Sequence, residues 1–294
     1  MVSQLAAEQL RARGFQAFSL TGGMKAWSLA WNSAEVSLPK SEARIIQVRR
    51  TGKGCLSYLI GSQGQAAVID PALTPDVYLD LAQENGWAIN HIFETHIHAD
   101  HLSRARNLAD RADADLHLPA QNRATFPFHP IQDNDECNIG ASRLVALRTP
   151  GHTGESTCYL LDGQLLFTGD TLFLEAVGRP DLEASPAEIR TRAKMLYQSL
   201  QRLLSLPSET LILPGHTSRP VAFDGQAIVA SLAEIRDQVK FLCLDEQRFV
   251  ESILARIPPT PPNHHRIVQL NEAGLWPDGD PAELEAGANR CAVA

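Results

Sequence analysis

His96-Ile97-His98-Ala99-Asp100-His101 places three of the chain's 10 histidines and one carboxylate within six positions. Imidazole and carboxylate groups at this spacing converge readily on a metal ion, so the stretch reads as a ligand loop. Ile92 and Phe93 form the end of an apolar run that leads into it through Glu94 and Thr95, which is the pattern of a buried strand. Leu102, Ala105, Leu108 and Ala112 follow with helical spacing and predict a helix starting near Asp100. The ligands would then sit on a strand-to-helix loop.

The same grammar recurs along the chain. Residues 144–147 run into Thr149-Pro150-Gly151-His152, residues 165–167 into Thr168-Gly169-Asp170, and residues 211–213 into Pro214-Gly215-His216. Each apolar run ends in one side chain able to bind metal. Strands buried in a sheet align their ends along one edge, where loops far apart in sequence can meet. His96, His98, Asp100, His101, His152, Asp170 and His216 together would supply enough donors for one or two ions. His91, His117, His129, His264 and His265 lack such company and read as core or surface residues.

Upstream, short β-branched and apolar runs at 44–49, 56–61 and 66–69 predict three strands, the last stopping at Asp70-Pro71. Thr74-Pro75 opens a helix with Tyr78, Leu81 and Ala82 on one face, and Asn85-Gly86 ends it. Ser185-Pro186-Ala187-Glu188 is a capping box before a long helix with Ile189, Ala193, Leu196, Leu200 and Leu203 inward. Strands alternating with helices predict a layered α/β domain.

Composition narrows the function classes. A net charge of -8 with no lysine or arginine run excludes the electrostatic footprint of a nucleic-acid or anionic-membrane binder. Cys55, Cys137, Cys158, Cys243 and Cys291 are odd in number and widely spaced, which fits reduced thiols in a cytoplasmic protein better than a disulfide framework. Neither a signal-like N-terminus nor an apolar run of membrane-crossing length is present, so an unexported protein without a membrane partner is expected.

These motifs resemble the metallo-β-lactamase superfamily over roughly residues 40 to 294. The resemblance implies an α/β, four-layer αββα sandwich. It also implies that Asp70 orients a histidine ligand from behind. Superfamily membership leaves the chemistry open, because one scaffold serves several reactions. Glu94-Thr95-His96-Ile97-His98-Ala99-Asp100-His101, Gly169-Asp170-Thr171-Leu172-Phe173 and above all Gly178-Arg179-Pro180-Asp181-Leu182 are similar to the persulfide dioxygenase branch. That likeness implies one Fe(2+) per chain held by His96, His152 and Asp170, which would also be the catalytic centre. Asp181 would support the loop, Arg179 would meet an anionic substrate or pair with Asp181, and persulfide and O2 would be the small-molecule partners. His98, Asp100, His101 and His216 would be a second metal site or hydrogen-bonding support. The alternative implied by the same ligand set is a zinc thioester hydrolase of the glyoxalase II type with two Zn(2+).

One departure concerns the thiol-binding side. Relatives that use glutathione follow the last histidine with Asp-Tyr, where this chain has Thr217-Ser218-Arg219. The tail from Pro220 to Asn289-Arg290-Cys291 resembles a bacterial subgroup fused to rhodanese domains, with Cys291 read as a bystander. Residues 1–38, through Leu20-Thr21-Gly22-Gly23-Met24-Lys25-Ala26-Trp27, resemble the closing segment of a rhodanese sulfurtransferase, whose cysteine loop would precede Met1. The expected division is therefore 1–38 and 39–294, with the first piece too short to bury a core alone. A rhodanese partner and a homo-oligomer are also expected.

Overall fold

A computed structural model of the chain describes residues 2–38, 41–218, 221–286 and 290–294. Met1, Pro39, Arg219, Pro220 and Asn289, which mark expected unit ends, the motif after His216 and the tail, lie outside them. Helices α1 (Val2–Ala12) and α2 (Gly23–Leu29) come first. Leu5, Phe15, Phe18 and Met24 around them stay exposed, the last two by 89% and 75%, so this segment encloses no apolar core of its own.

The first sheet contains β1 (Trp31–Val36), β2 (Arg44–Arg50), β3 (Cys55–Ser62), β4 (Gln65–Ile69), β5 (Ala88–Phe93), β6 (Asp115–Pro119) and β7 (His129–Ile131), hydrogen-bonded in that order. β1 to β4 are antiparallel and β4 to β7 parallel. β1 pairs with β2 along its whole length, so the last part of residues 1–38 is built into this sheet. The second half of the chain adds β8 (Glu136–Ile139), β9 (Ser142–Arg148), β10 (Thr157–Leu161), β11 (Leu165–Gly169), β12 (Val177–Gly178), β13 (Leu211–Pro214), β14 (Ala230–Ser231) and β15 (Ala292–Val293). β14-β13-β11-β10-β9-β8 form the second sheet, and β12 pairs with β15 separately.

Period-two burial explains the layering. Ile45, Tyr58, Ile60, Ile69 and Phe93 point inward from the first sheet and meet Leu144, Tyr159, Leu161 and Phe167 of the second. On the outer side, Val48, Leu59, Val68 and Ile92 pack against Tyr78 and Ala82 of α3 (Pro75–Glu84) and Leu108 of α4 (Ala105–Ala112). The second sheet is covered by α5 (Pro186–Leu204), α6 (Leu232–Gln238) and α7 (Glu246–Leu254), through Leu196, Leu200, Ile235 and Phe249. This is the expected αββα sandwich. α5 opens on the expected capping box, with the Ser185 amide donating to Glu188 at 2.8 Å. None of the helices among the described residues is long and apolar enough to cross a membrane.

The helix after the histidine loop is a correction. It begins at Ala105 and not near Asp100, because residues 96–104 spend their polar groups on the site and on α8 (His264–Ala273). The Asn271 side chain of α8 donates to the carbonyls of His98 and His101 at 2.8 and 2.9 Å and accepts from the Ser103 amide. Past the short α9 (Pro281–Leu284), Glu285 is buried between Arg50 at 2.7 Å and Arg104 at 3.1 Å and accepts from the Leu102 amide at 2.9 Å. Removing one partner of a buried ion pair costs more than the pair contributes, because the remaining charge loses its compensation. Glu285→Gln should therefore lower the free energy of unfolding by about 3 kcal/mol in a urea titration. A change below about 1 kcal/mol would show that this contact is not what clasps the ligand loop.

Candidate metal centre

The three ligand-bearing motifs of the second half converge on the histidine loop as expected. His96 Nε2 lies 3.9 Å from Asp170 Oδ2, and His152 Nε2 lies 3.7 Å from the same oxygen. All three side chains are buried, and neither His96 Nε2 nor Asp170 Oδ2 has a hydrogen-bond partner. These separations are too long for hydrogen bonds. Two ligands on one ion, with bonds of about 2.1 Å, stand roughly 3 to 3.6 Å apart, so only a small inward movement would place these donors around a cation.

Hydrogen bonds on the far side of each ring select the donor atom. Thr95 Oγ1 donates to Asp70 Oδ2 at 2.7 Å, so at 2.9 Å from His96 Nδ1 it accepts the ring proton and leaves the Nε2 lone pair inward. His152 Nδ1 donates to the Arg179 carbonyl at 2.8 Å with the same result. Burial and neighbouring histidines push His96 well below the ordinary histidine range, and burial lowers His152, so both rings are neutral. Burial works against the Asp170 charge, but His216 and the other histidines outweigh it and keep the carboxyl ionised. Two neutral imidazoles and a carboxylate, with orphaned donors facing one point, fit a divalent metal.

Asp70 supports this arrangement at a conformational cost. It sits at φ 51°, in the left-handed region, and from there also accepts the Thr95 amide at 2.7 Å. Gly178 shows why the Gly-Arg-Pro-Asp loop starts with glycine: a Cβ there would lie 2.1 Å from the Asp170 carbonyl oxygen and 3.1 Å from His152 Cβ.

His98, Asp100, His101 and His216 do not gather as one set. His98 Nε2 donates to Glu94 at 2.7 Å and lies 3.3 Å from Asp70, so this nitrogen is taken by two buried carboxylates while Nδ1 is buried without a partner. Burial opposes its charge, but Glu94 and Asp70 outweigh it and hold His98 well above the ordinary range. Asp100, His101 and His216 do come together, and Cys55 joins them in place of His98. The Cys55 sulfur is 3.7 Å from Asp100 and 4.0 Å from His101, and His216 spans Asp100 at 2.8 Å and Asp170 at 2.6 Å. Burial disfavours the Cys55 thiolate, but His101, and after it His216, prevails over burial and Asp100 and brings the thiol down to about 6. Sequence reasoning missed Cys55, whose strand start is brought beside His216 by a backbone bridge.

Of the two roles expected for Arg179, the pairing with Asp181 is the one its contacts show. Arg179 is fully buried, pairs with both oxygens of Asp181 at 2.7 Å, and donates to the carbonyls of Pro258, Pro259 and Arg290. Its guanidinium has no donor left for a ligand. Its amide bonds the Cys291 carbonyl at 2.9 Å, next to the β12–β15 pairing. Cys291 is buried, and burial, with Asp170 after it, pushes its thiol well above the ordinary range. Several cavities flank the centre, among them one of about 300 Å³ lined by Glu94, His96, His98 and Asn271. Another of about 140 Å³ is lined by Asp100, Lys53, Asn263 and Arg290, and one of about 350 Å³ by His216, Thr217, Ser218 and Phe173.

Comparison with known proteins places these features. The metallo-beta-lactamase superfamily description matches residues 50–216. A hydroxyacylglutathione hydrolase of Methylobacillus flagellatus is 35% identical over 170 residues, 56% of this chain and 64% of that protein. The chain thus spans less than two thirds of the curated relatives it matches. Among solved structures, a metallo-beta-lactamase from Staphylococcus aureus superposes with a TM-score of 0.73 at 28% identity, over 80% of this chain and 74% of that one. ETHE1 from Myxococcus xanthus superposes with a TM-score of 0.67 at 32% identity, over 78% of this chain and 97% of that one.

The Asp70–Thr95–His96 relay can be tested without touching a ligand. Thr95→Val keeps the side-chain shape and deletes the hydroxyl, so metal retention against a chelator should fall by about 10- to 100-fold. Unchanged retention would mean that His96 is oriented by other contacts.

Proposed function

The chain belongs to the metallo-β-lactamase superfamily, and from that premise we propose that it is a persulfide dioxygenase using one ferrous ion at His96, His152 and Asp170. The observation that carries this reading is that His96, His152 and Asp170 bring three donor atoms to one point, with His96 Nε2 and Asp170 Oδ2 buried there without a partner. His98 stands beside His96, ring centroids 4.3 Å apart, with its Nε2 held by Glu94 and Asp70. The likeness to ETHE1, which spans 97% of that chain, supports the same choice.

In the proposed reaction the outer sulfur of a thiol persulfide is oxidised and dioxygen is reduced. Water supplies the third oxygen, the S–S bond breaks, and the products are sulfite and the thiol. Ferrous iron, when bound, would supply the redox capacity that zinc lacks. The chain's own groups set the conditions around it. Asp170 contributes the negative charge, and the Thr95 hydroxyl and the Arg179 carbonyl keep the ring protons of His96 and His152 on the outer side. Lys53 and Arg290 beside Asp100 give the cavity of about 140 Å³ positive charge suited to an anionic carrier such as glutathione persulfide. Thr217 and Ser218 stand where a tyrosine would meet that carrier in glutathione-using relatives. The segment through Gly22-Gly23-Met24-Lys25-Ala26-Trp27 supports a rhodanese-type sulfur donor as partner.

A zinc thioester hydrolase is the second reading, favoured by the name of the curated relatives and by Asp100, His101 and His216 beside Asp170. Metal analysis of anaerobically prepared protein, paired with oxygen uptake on glutathione persulfide, separates the two. Iron with oxygen uptake is expected. Two zinc ions per chain with S-lactoylglutathione turnover and no oxygen uptake would overturn the dioxygenase reading. Among variants, Asp170→Ala and His152→Ala should abolish iron binding while His98→Ala reduces it less. Equal loss for all three would indicate a two-metal site.

A further inference from the structure

Three histidines that look solitary in the sequence are neighbours in the fold. Parallel pairing sets His91 of β5 beside Asp115 of β6, and His117 of β6 beside His129 of β7. His91 shares a face with Phe93, His117 with Asp115, and His129 with Ile131, so all four side chains project from the side that meets the second sheet. His91 Nδ1 lies 3.1 Å from His117 Nε2 and 3.8 Å from Asp115 Oδ2, and His129 Nε2 lies 3.4 Å from Asp115 Oδ1. The ring centroids of His117 stand 5.3 Å from His91 and 5.4 Å from His129, and Phe93 stacks on His117 at 4.6 Å.

We propose that His91, Asp115, His117 and His129 form a peripheral binding site for a divalent transition-metal cation of the zinc or copper class. Three imidazoles with one carboxylate suit these ions, and His91, Asp115 and His117 each offer a donor atom within 4.8 Å of the others. His117 Nδ1 is buried without a hydrogen-bond partner, an unmet polar group on the central histidine of the set. Burial, then His91 and His129, push His117 down to about 4, and burial lowers His91, so both are neutral at physiological pH. Neutral imidazoles beside an aspartate leave a net negative charge for a dication to balance. Asp115 and His129 are exposed, at 57% and 64%, which gives an ion an entry path and room for water in its shell. Such an ion would tie the three-residue edge strand β7 to β5, the strand that leads into the ligand loop.

The competing explanation is a His91–His117 hydrogen bond with no metal. Full-length protein carrying its catalytic metal, and the same protein with His129→Gln or with His91→Gln, would be titrated with zinc alone. Bound zinc would be counted after gel filtration and thermal unfolding recorded with and without it. The unsubstituted chain should take up about one more ion than either variant and gain thermal stability that both lose. His129 is exposed, so that variant tests the site even where His91→Gln disturbs folding. Equal zinc counts and equal thermal shifts in all three would overturn the proposal. Repeating the titration on His152→Ala keeps the question separate from the catalytic centre, because the peripheral ion should remain when the iron is lost.

Discussion

A carboxylate with no exposure to water must be neutralised by what surrounds it, and Asp170 imposes that requirement on the whole centre. One of its oxygens takes the His216 ring proton, and the other faces His96 and His152 without a bond. Each of these partners arrives on a different strand end, so the registers of both sheets have to agree for the charge to be met. The close packing this demands shows where side chains are excluded. Gly178 passes the Asp170 carbonyl too closely for any Cβ, and Gly169 would strike the Thr95 side chain at 2.4 Å.

Much of this was legible in the sequence. Strands at 44–49, 56–61 and 66–69 lie within β2, β3 and β4, and Thr74-Pro75 and the Ser185 capping box open α3 and α5. These signals are local, set by alternation and by cap chemistry, and local signals survive without a fold. The convergence of His96, His152, Asp170 and His216 was legible because apolar runs ended in ligands and sheets align their ends.

The illegible part depends on side-chain direction and on long-range register. His98 sits two positions from His96, yet it turns to Glu94 and Asp70, and nothing in the spacing says which ring a buried carboxylate will claim. Cys55 reaches Asp100 only because the start of β3 crosses the His216 segment. The helix start was misplaced because Leu102 keeps helical spacing while the backbone of residues 98–103 is claimed by Asn271 and Glu285. The pairing of Arg179 with Asp181 was legible two positions apart, but nothing in the sequence says that the carbonyls of Pro258, Pro259 and Arg290 take its remaining donors.

The grip of Asn271 on the His98 and His101 carbonyls closes a loop of 170 residues or more. The entropy of such a closure grows only with the logarithm of its length, about 0.6 kcal/mol for each doubling, but it must be met before the contact gives anything back. Local hairpins such as β3–β4 and β10–β11 carry no such delay. The docking of α8 is thus the long-range step on which the closed form of the histidine loop depends. Contacts more than 170 positions away, and not the loop's own sequence, therefore decide whether the ligand backbone is held ready for an ion.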